Sequence, residues 1–331
     1  MIEHMFEELR DAARRTPITA SPYGYAERVY TSSLEEQAAL LDLLRTRPQG
    51  KNWVDLTADV RYYGGPREAL EALEPDSLFP SPERQADADK ALADVTAWRD
   101  SGLNFLTIVD DRYPGSVRDI HQAPPFLFAQ GQLIPGDVGV SVVGSREVSP
   151  QGLKMAASVA TALVGLHVSV ISGLAKGVDA AAHRAALSAG GRPVGVIATG
   201  IRRQYPAENK ELQGSVSDAG LLISQFLPDA PPQKHNFLMR NATMSGYGIA
   251  TVVIEAGEHS GARAQARMAV EHGRPVILTD AVLARNDWAK ALVGRPGVHI
   301  ASSTADVVRV VEDLLDTPKR VEDVLESLIA T

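Results

Sequence analysis

The sequence predicts an α/β fold: a doubly wound, mostly parallel, extended Rossmann-like sheet preceded by a small helical domain. Three observations carry that expectation. From Val138 onward, short apolar runs alternate with helical stretches in strict succession. Most of those runs are continuous stretches rich in Val, Ile and Leu, the pattern of strands buried on both faces. Upstream of them, residues 33–74 carry helix-spaced leucines and alanines instead.

The elements follow in order. Leu34, Ala38, Leu41 and Leu44 give the first helical face, which Pro48-Gln49-Gly50 interrupts. SPERQADADKALADVTAWRD forms a second amphipathic helix with Ala91, Val95 and Trp98 on one side. Short strands are expected at NFLTIVD and at Phe126-Leu127-Phe128, separated by a turn-rich segment. The main sheet takes strands at 138–143, 167–171, 193–198, 221–226, 249–255, 275–280 and 298–301. Helices at 150–165, 176–189, 207–219, 237–247 and 261–273 join them, and STADVVRVVEDLL closes the fold. This divides the chain into a helical N-terminal domain (1–92), a Rossmann-like domain (93–302) and a C-terminal helical tail (303–331). The first 30 residues read only as helix and loop.

Composition narrows the function classes. The net charge of −8 sits in the flanks: residues 138–280 hold 13 Lys/Arg against 10 Asp/Glu. A basic groove is therefore compatible with an acidic chain. There are no cysteines, so disulfides and thiolate metal sites are excluded. No apolar run reaches membrane-helix length, and the N-terminus MIEHMFEELRDAARR lacks a signal's apolar stretch. These features point to a cytoplasmic protein without membrane contact.

Ligands of doubly wound sheets bind beyond the carboxyl ends of the strands, where helix N-termini present free N–H groups. The turn after the first main strand is Gly144-Ser145-Arg146, which reads either as an anion grip or as a plain turn with a solvated arginine. After the second come Ser172, Gly173 and Lys176, then Asp179 and His183, four apart on one helical face. No nucleophile elbow accompanies that pair, so its expected role is to fix the helix against the loop. After the third, Arg202 and Tyr205 give a basic loop with one aromatic ring. After the fourth, Lys234, Phe237 and Arg240 recur at threes across a helix start, followed by Asn241. A cation, a ring and a guanidinium fork form the set that holds a single strand by phosphate and base. After the fifth, Glu255 ends the strand, where structural and catalytic carboxylates are both found. Ser260 and Gly261 then open the next helix.

These pieces, in this order, resemble the DNA-processing protein A (DprA/Smf) family. VSVVGSR, SGLAKGVDAAAHRAAL, GRPVGVIATGIRRQYPAEN, KHNFLMRN and VVIEAGEHSGARAQARMAVEHGRPV carry the resemblance, with WRDSGLNFLTIVDDRYPGSVRDIHQAPPFLFAQGQL ahead of them. The resemblance implies a cofactor-free, metal-free, non-enzymatic protein that binds single-stranded DNA, dimerises and hands the strand to a RecA-type recombinase during natural transformation. In that reading Arg146, Lys234 and Arg240 grip phosphates and Phe237 stacks on a base. Gly144, Ser145, Ser172, Gly173, Asn241, Ser260 and Gly261 shape the pocket. Family members continue Arg-Asn with another arginine where this chain has Ala242, which predicts weaker phosphate contacts. The winged-helix-like domain that some members carry is not matched beyond Ala301. A second reading stays open: a nucleotide-binding sensor, or a nucleoside-monophosphate hydrolase on the same fold, in a stress or defence system. Against the hydrolase, AGEHSGARAQ lacks the P-G-G-x-G-T pattern of such enzymes.

Overall fold

Capping residues set where the helices begin. The computed structural model describes residues 31–74 and 81–329; the expectation for residues 1–30 lies outside them. Ser33 opens α1 (Leu34–Thr46) with a reciprocal capping box, its Oγ accepting from the Glu36 amide while Glu36 accepts from the Ser33 amide. Asn52 does the same for α2 (Trp53–Tyr63) with Asp55, and Pro66 starts α3 (Pro66–Leu73). Ser81 caps the long α4 (Pro82–Asp100). Leu40, Leu41, Leu43, Leu56, Ala69 and Ala91 interlock these helices in a core that continues into the sheet.

Among the described residues the sheet has nine strands. β1 (Asn104–Thr107) and β2 (Phe126–Gly131) form an antiparallel pair, with the short α5 (Gly115–Arg118) between them. Phe105, Phe126 and Phe128 pack on one another and on Trp98 of α4, with Phe105 and Phe128 stacked 4.9 Å apart. Gln37 of α1 donates through Nε2 to the Phe105 carbonyl on the outer side of β1, at 2.8 Å. β2 in turn runs antiparallel to β6 (Leu221–Ser224).

The remaining strands are parallel: β3 (Gly139–Val143), β4 (Ser169–Ser172), β5 (Pro193–Ile197), β7 (Ala250–Val253), β8 (Val276–Thr279) and β9 (Val298–Ala301). The spatial order is β1-β2-β6-β5-β4-β3-β7-β8-β9. From β3 to β6 the chain steps outward in one direction through α6 (Pro150–Gly165), α7 (Val178–Ser188) and α8 (Lys210–Ala219). It then returns through α9 (Lys234–Tyr247) to β7 on the far side of β3, and continues through α10 (Gly261–Glu271). Right-handed crossovers put α6–α8 on one face and α9–α10 on the other. Short helices α11 (Asp280–Arg285) and α12 (Asp287–Lys290) precede β9, and α13 (Thr304–Ile329) packs back on α6.

The reversal at β3 decides where a ligand can sit. The loops leaving β3 and β7 part in opposite directions, so a crevice opens above the carboxyl ends of these neighbouring strands. Among the described residues no helix is long and apolar enough to cross a membrane.

Candidate nucleic-acid interface

Backbone packing at the head of β3 builds the crevice floor. The Ser145 amide donates to the Glu255 carbonyl at 2.6 Å, tying the β3 and β7 ends together. A side chain on Gly144 would stand 2.5 Å from Val178 Cγ2 and 2.7 Å from the Glu255 carbonyl, so only glycine lets the three segments meet. Ser145 Oγ is spent within the loop, accepting from the Glu147 amide at 3.1 Å and donating to the Glu147 carbonyl. Arg146 is left free: its guanidinium lies 5.4 Å from the Phe237 ring centroid and makes no other hydrogen bond or ion pair among the described residues.

Arg240, one turn along α9 from Phe237, points inward and is 6% exposed. Its Nη1 donates to the Val196 carbonyl at 2.7 Å, while its Nε has no protein partner. The guanidinium occupies the space a side chain at Gly173 would need, with Nη1 at 1.7 Å from that position. Burial pushes its pKa down, the Asp179 charge opposes that shift and Arg146 adds to it; a guanidinium starts so high that it stays a cation. Asp179 accepts from the Gly173 and Ala175 amides at 3.1 and 3.3 Å, closing the loop between β4 and α7. Burial raises its pKa, while Arg240 and these amides act against the rise.

Two adjoining cavities result. The first, about 470 Å3, is bounded by Gly144–Glu147, Phe237, Arg240, Asn241 and the start of α10 at Ser260–Ala262, with Gln265 one turn in. The second, about 540 Å3, is walled by Gly173, Lys176, Thr199 and the loop from Gln204 to Glu208. Arg146, Glu147, Ala175 and Phe237 line both, so the Arg146–Phe237 stack forms the ridge between them. Tyr205 meets the Phe237 ring edge-on at 5.9 Å and remains 39% exposed in the second cavity. Lys176 there pairs with Glu208.

The structure thus gathers Gly144, Ser145, Arg146, Phe237, Arg240, Asn241, Ser260 and Gly261 at the first cavity, with Gly173, Lys176 and Tyr205 at the second. Other sequence candidates lie elsewhere. Lys234 is exposed at the first turn of α9 and lines neither cavity. Ser172 Oγ is buried against the Val142 carbonyl, so it joins β4 to β3 and does not shape the pocket. Arg202 is engaged by Ser101 Oγ and Asp229. Glu255 accepts from Ser149 Oγ at 2.6 Å and from Arg285 at 3.5 Å, holding the start of α6. The expected Asp179–His183 pair does not form. Asp179 turns to the loop amides; His183 is fully buried with neither ring nitrogen well hydrogen-bonded, and that burial lowers its pKa to about 4. Ala242, where family members carry a further arginine, is 2% exposed and packed in the core. Sequence reasoning passed over Gln265, whose signal was its i, i+4 spacing from Gly261. No group of three or more metal-ligating side chains occurs among the described residues.

Residues 104–317 match the family model for DNA recombination-mediator protein A. The DNA processing protein DprA of Streptococcus pneumoniae is 40% identical over 175 residues, covering 52% of this chain and 61% of that one. The chain spans about three fifths of the length of the first curated relatives it matches. The X-ray structure of the S. pneumoniae protein has a TM-score of 0.65 at 29% identity, over 85% of this chain and 98% of its own. A DNA processing protein A from Helicobacter pylori, described for its single-stranded DNA binding mode, shares the fold with a TM-score of 0.56 at 20% identity, over 64% of this chain and 96% of its own.

Proposed function

Because the chain belongs to the DNA recombination-mediator protein A family, we propose that it binds single-stranded DNA across the Arg146–Phe237 ridge, as a non-enzymatic mediator of recombination. The observation that carries the reading is the ridge itself. A free guanidinium stacked on a half-exposed ring, common to two cavities and backed by the buried Arg240, offers phosphate contacts and a stacking platform together. Tyr205 extends the platform into the second cavity. Lys234, exposed one turn before Phe237 on α9 and outside both cavities, would add charge where a strand leaves them. The single-stranded DNA binding described for the H. pylori protein agrees with this assignment. The same reading takes the protein to be a cytoplasmic homodimer that hands its strand to a RecA-type recombinase.

The carboxylates lining the cavities favour binding over hydrolysis. Asp179 is tied to backbone amides and Glu208 to Lys176, and Glu255 lies outside both cavities, which leaves Glu147 as a lone carboxylate at the ridge with no second one to share acid–base work. Anisotropy of a labelled oligonucleotide across a salt series tests the reading. The logarithm of affinity should fall with log salt, and Arg146→Ala should reduce the slope by about 0.7. An unchanged slope and affinity in Arg146→Ala would remove the ridge from the interface. Displacement by a single mononucleotide at equal concentration would favour the nucleotide-sensor reading.

A further inference from the structure

The second cavity carries its own charge balance. Two cations, Arg146 and Lys176, and two carboxylates, Glu147 and Glu208, line it. Lys176 stands on the loop between β4 and α7 and pairs with Glu208, which stands on the short helical turn Ala207–Asn209 leading into α8. Both side chains are more than half exposed, yet the segments that bear them are joined below the surface. Asn209, 5% exposed, donates through Nδ2 to the Leu174 carbonyl at 2.9 Å. Gln213 braces the other flank, its Nε2 donating to the Arg203 carbonyl at 2.9 Å. The loops are thus fastened two residues before Lys176 and one residue after Glu208, so backbone placement sets the pair face to face.

An ammonium is a compact point charge that accepts a carboxylate oxygen or a phosphate oxygen as its partner. The Lys176 ammonium and its own backbone N–H hold the Glu208 carboxyl below the usual carboxylate range, so it is ionised at neutral pH. An exposed ion pair of this kind is weak, and another anion can take the carboxylate's place. Resting on the single-strand reading above, we propose that Glu208 is a built-in stand-in for phosphate, occupying Lys176 until a strand passing from the Arg146–Phe237 ridge into the second cavity exchanges one phosphodiester for it. The displaced carboxylate stays beside the incoming phosphate, so this contact adds little to the salt dependence of binding. A free nucleotide has to break the pair with its single phosphate. A strand already held on the ridge presents its next phosphate at high local concentration. The exchange therefore favours polymer over monomer.

The test is anisotropy of a labelled oligothymidylate across a salt series with the wild-type chain, Glu208→Gln and Glu211→Gln. Glu208→Gln keeps the shape of the side chain and releases Lys176. It should bind about threefold more tightly at low salt, the worth of one exposed ion pair. The fall of log affinity with log salt should steepen by about 0.7, one added phosphate contact. Lys176→Ala in the same background should return the slope to the wild-type value. Glu211 is the next exposed carboxylate along the chain and lines neither cavity, so Glu211→Gln removes the same charge and should change neither quantity. If Glu208→Gln matches wild type in slope and affinity, or if Glu211→Gln reproduces its effect, the exchange is overturned while salt-sensitive strand binding stands. Absence of salt-sensitive binding by the wild-type chain overturns both it and the parent reading.

Discussion

Gly173→Ala is the substitution whose outcome the geometry constrains most. Gly173 is not in a left-handed conformation, so the backbone itself accepts alanine. The new methyl would fall 1.7 Å from Arg240 Nη1, 2.4 Å from Cζ and 2.6 Å from Nη2. Arg240 must then leave the Val196 carbonyl, which it holds at 2.7 Å, and move into the adjoining cavity. A buried hydrogen bond from a charged donor contributes about 1.5–3 kcal/mol, and partial re-solvation of the guanidinium returns some of that, leaving a net loss of about 2 kcal/mol. Urea unfolding followed by fluorescence of Trp53, Trp98 and Trp288 reads the loss, and strand affinity should drop about tenfold as the cavity fills. In an Arg240→Leu background the same alanine should cost little, giving a coupling energy of about 2 kcal/mol. If Gly173→Ala costs the same in both backgrounds, Arg240 is not what that glycine accommodates.

Two further outcomes follow from the site. His183 titrates near 4 when folded and near 6.5 in an unfolded chain, so stability is whole above about pH 6.5 and falls by about 3 kcal/mol as pH drops toward 4. Asp179, whose folded pKa is raised, works the other way as it takes up its proton. His183→Leu should flatten the decline in urea midpoint between pH 7 and 4.5; an identical decline in the variant would acquit the histidine. Glu255→Ala should lower stability by about 1–3 kcal/mol through loss of the Ser149 contacts while strand affinity stays put. A selective loss of binding there would return Glu255 to the site.

The strand runs of the main sheet were legible because burial on both faces leaves a Val/Ile/Leu-rich signature, as in Leu221–Ile223 and in Val140–Val143, where only Ser141 interrupts it. The antiparallel joining of β2 to β6 was not, since nothing local in Phe126–Gly131 specifies a partner some ninety residues away. The turn residues of the site were readable from strand ends alone. Side-chain direction was less so. A helix advances about 100° per residue, so Lys234 and Arg240, six apart, diverge by about 120° and cannot share one wall. Gln265 was passed over because an amide on a helix is unremarkable until its burial and lack of partners are known. Asp179 and His183 had the spacing of a pair, yet the loop amides of Gly173 and Ala175 compete better for the carboxylate.

The Gln37 contact on β1 has a bearing on colloidal behaviour. A long, mostly parallel sheet exposes at each border a row of unmet backbone groups, a template on which another chain can add a strand. At one border α1 and α4 lie along β1, and Gln37 occupies the carbonyl of Phe105. At the other, among the described residues, β9 is four residues long and has α13 packed against it. Strand addition is therefore interrupted at Phe105 on one border and limited to four residues on the other, which restrains association of copies by sheet extension.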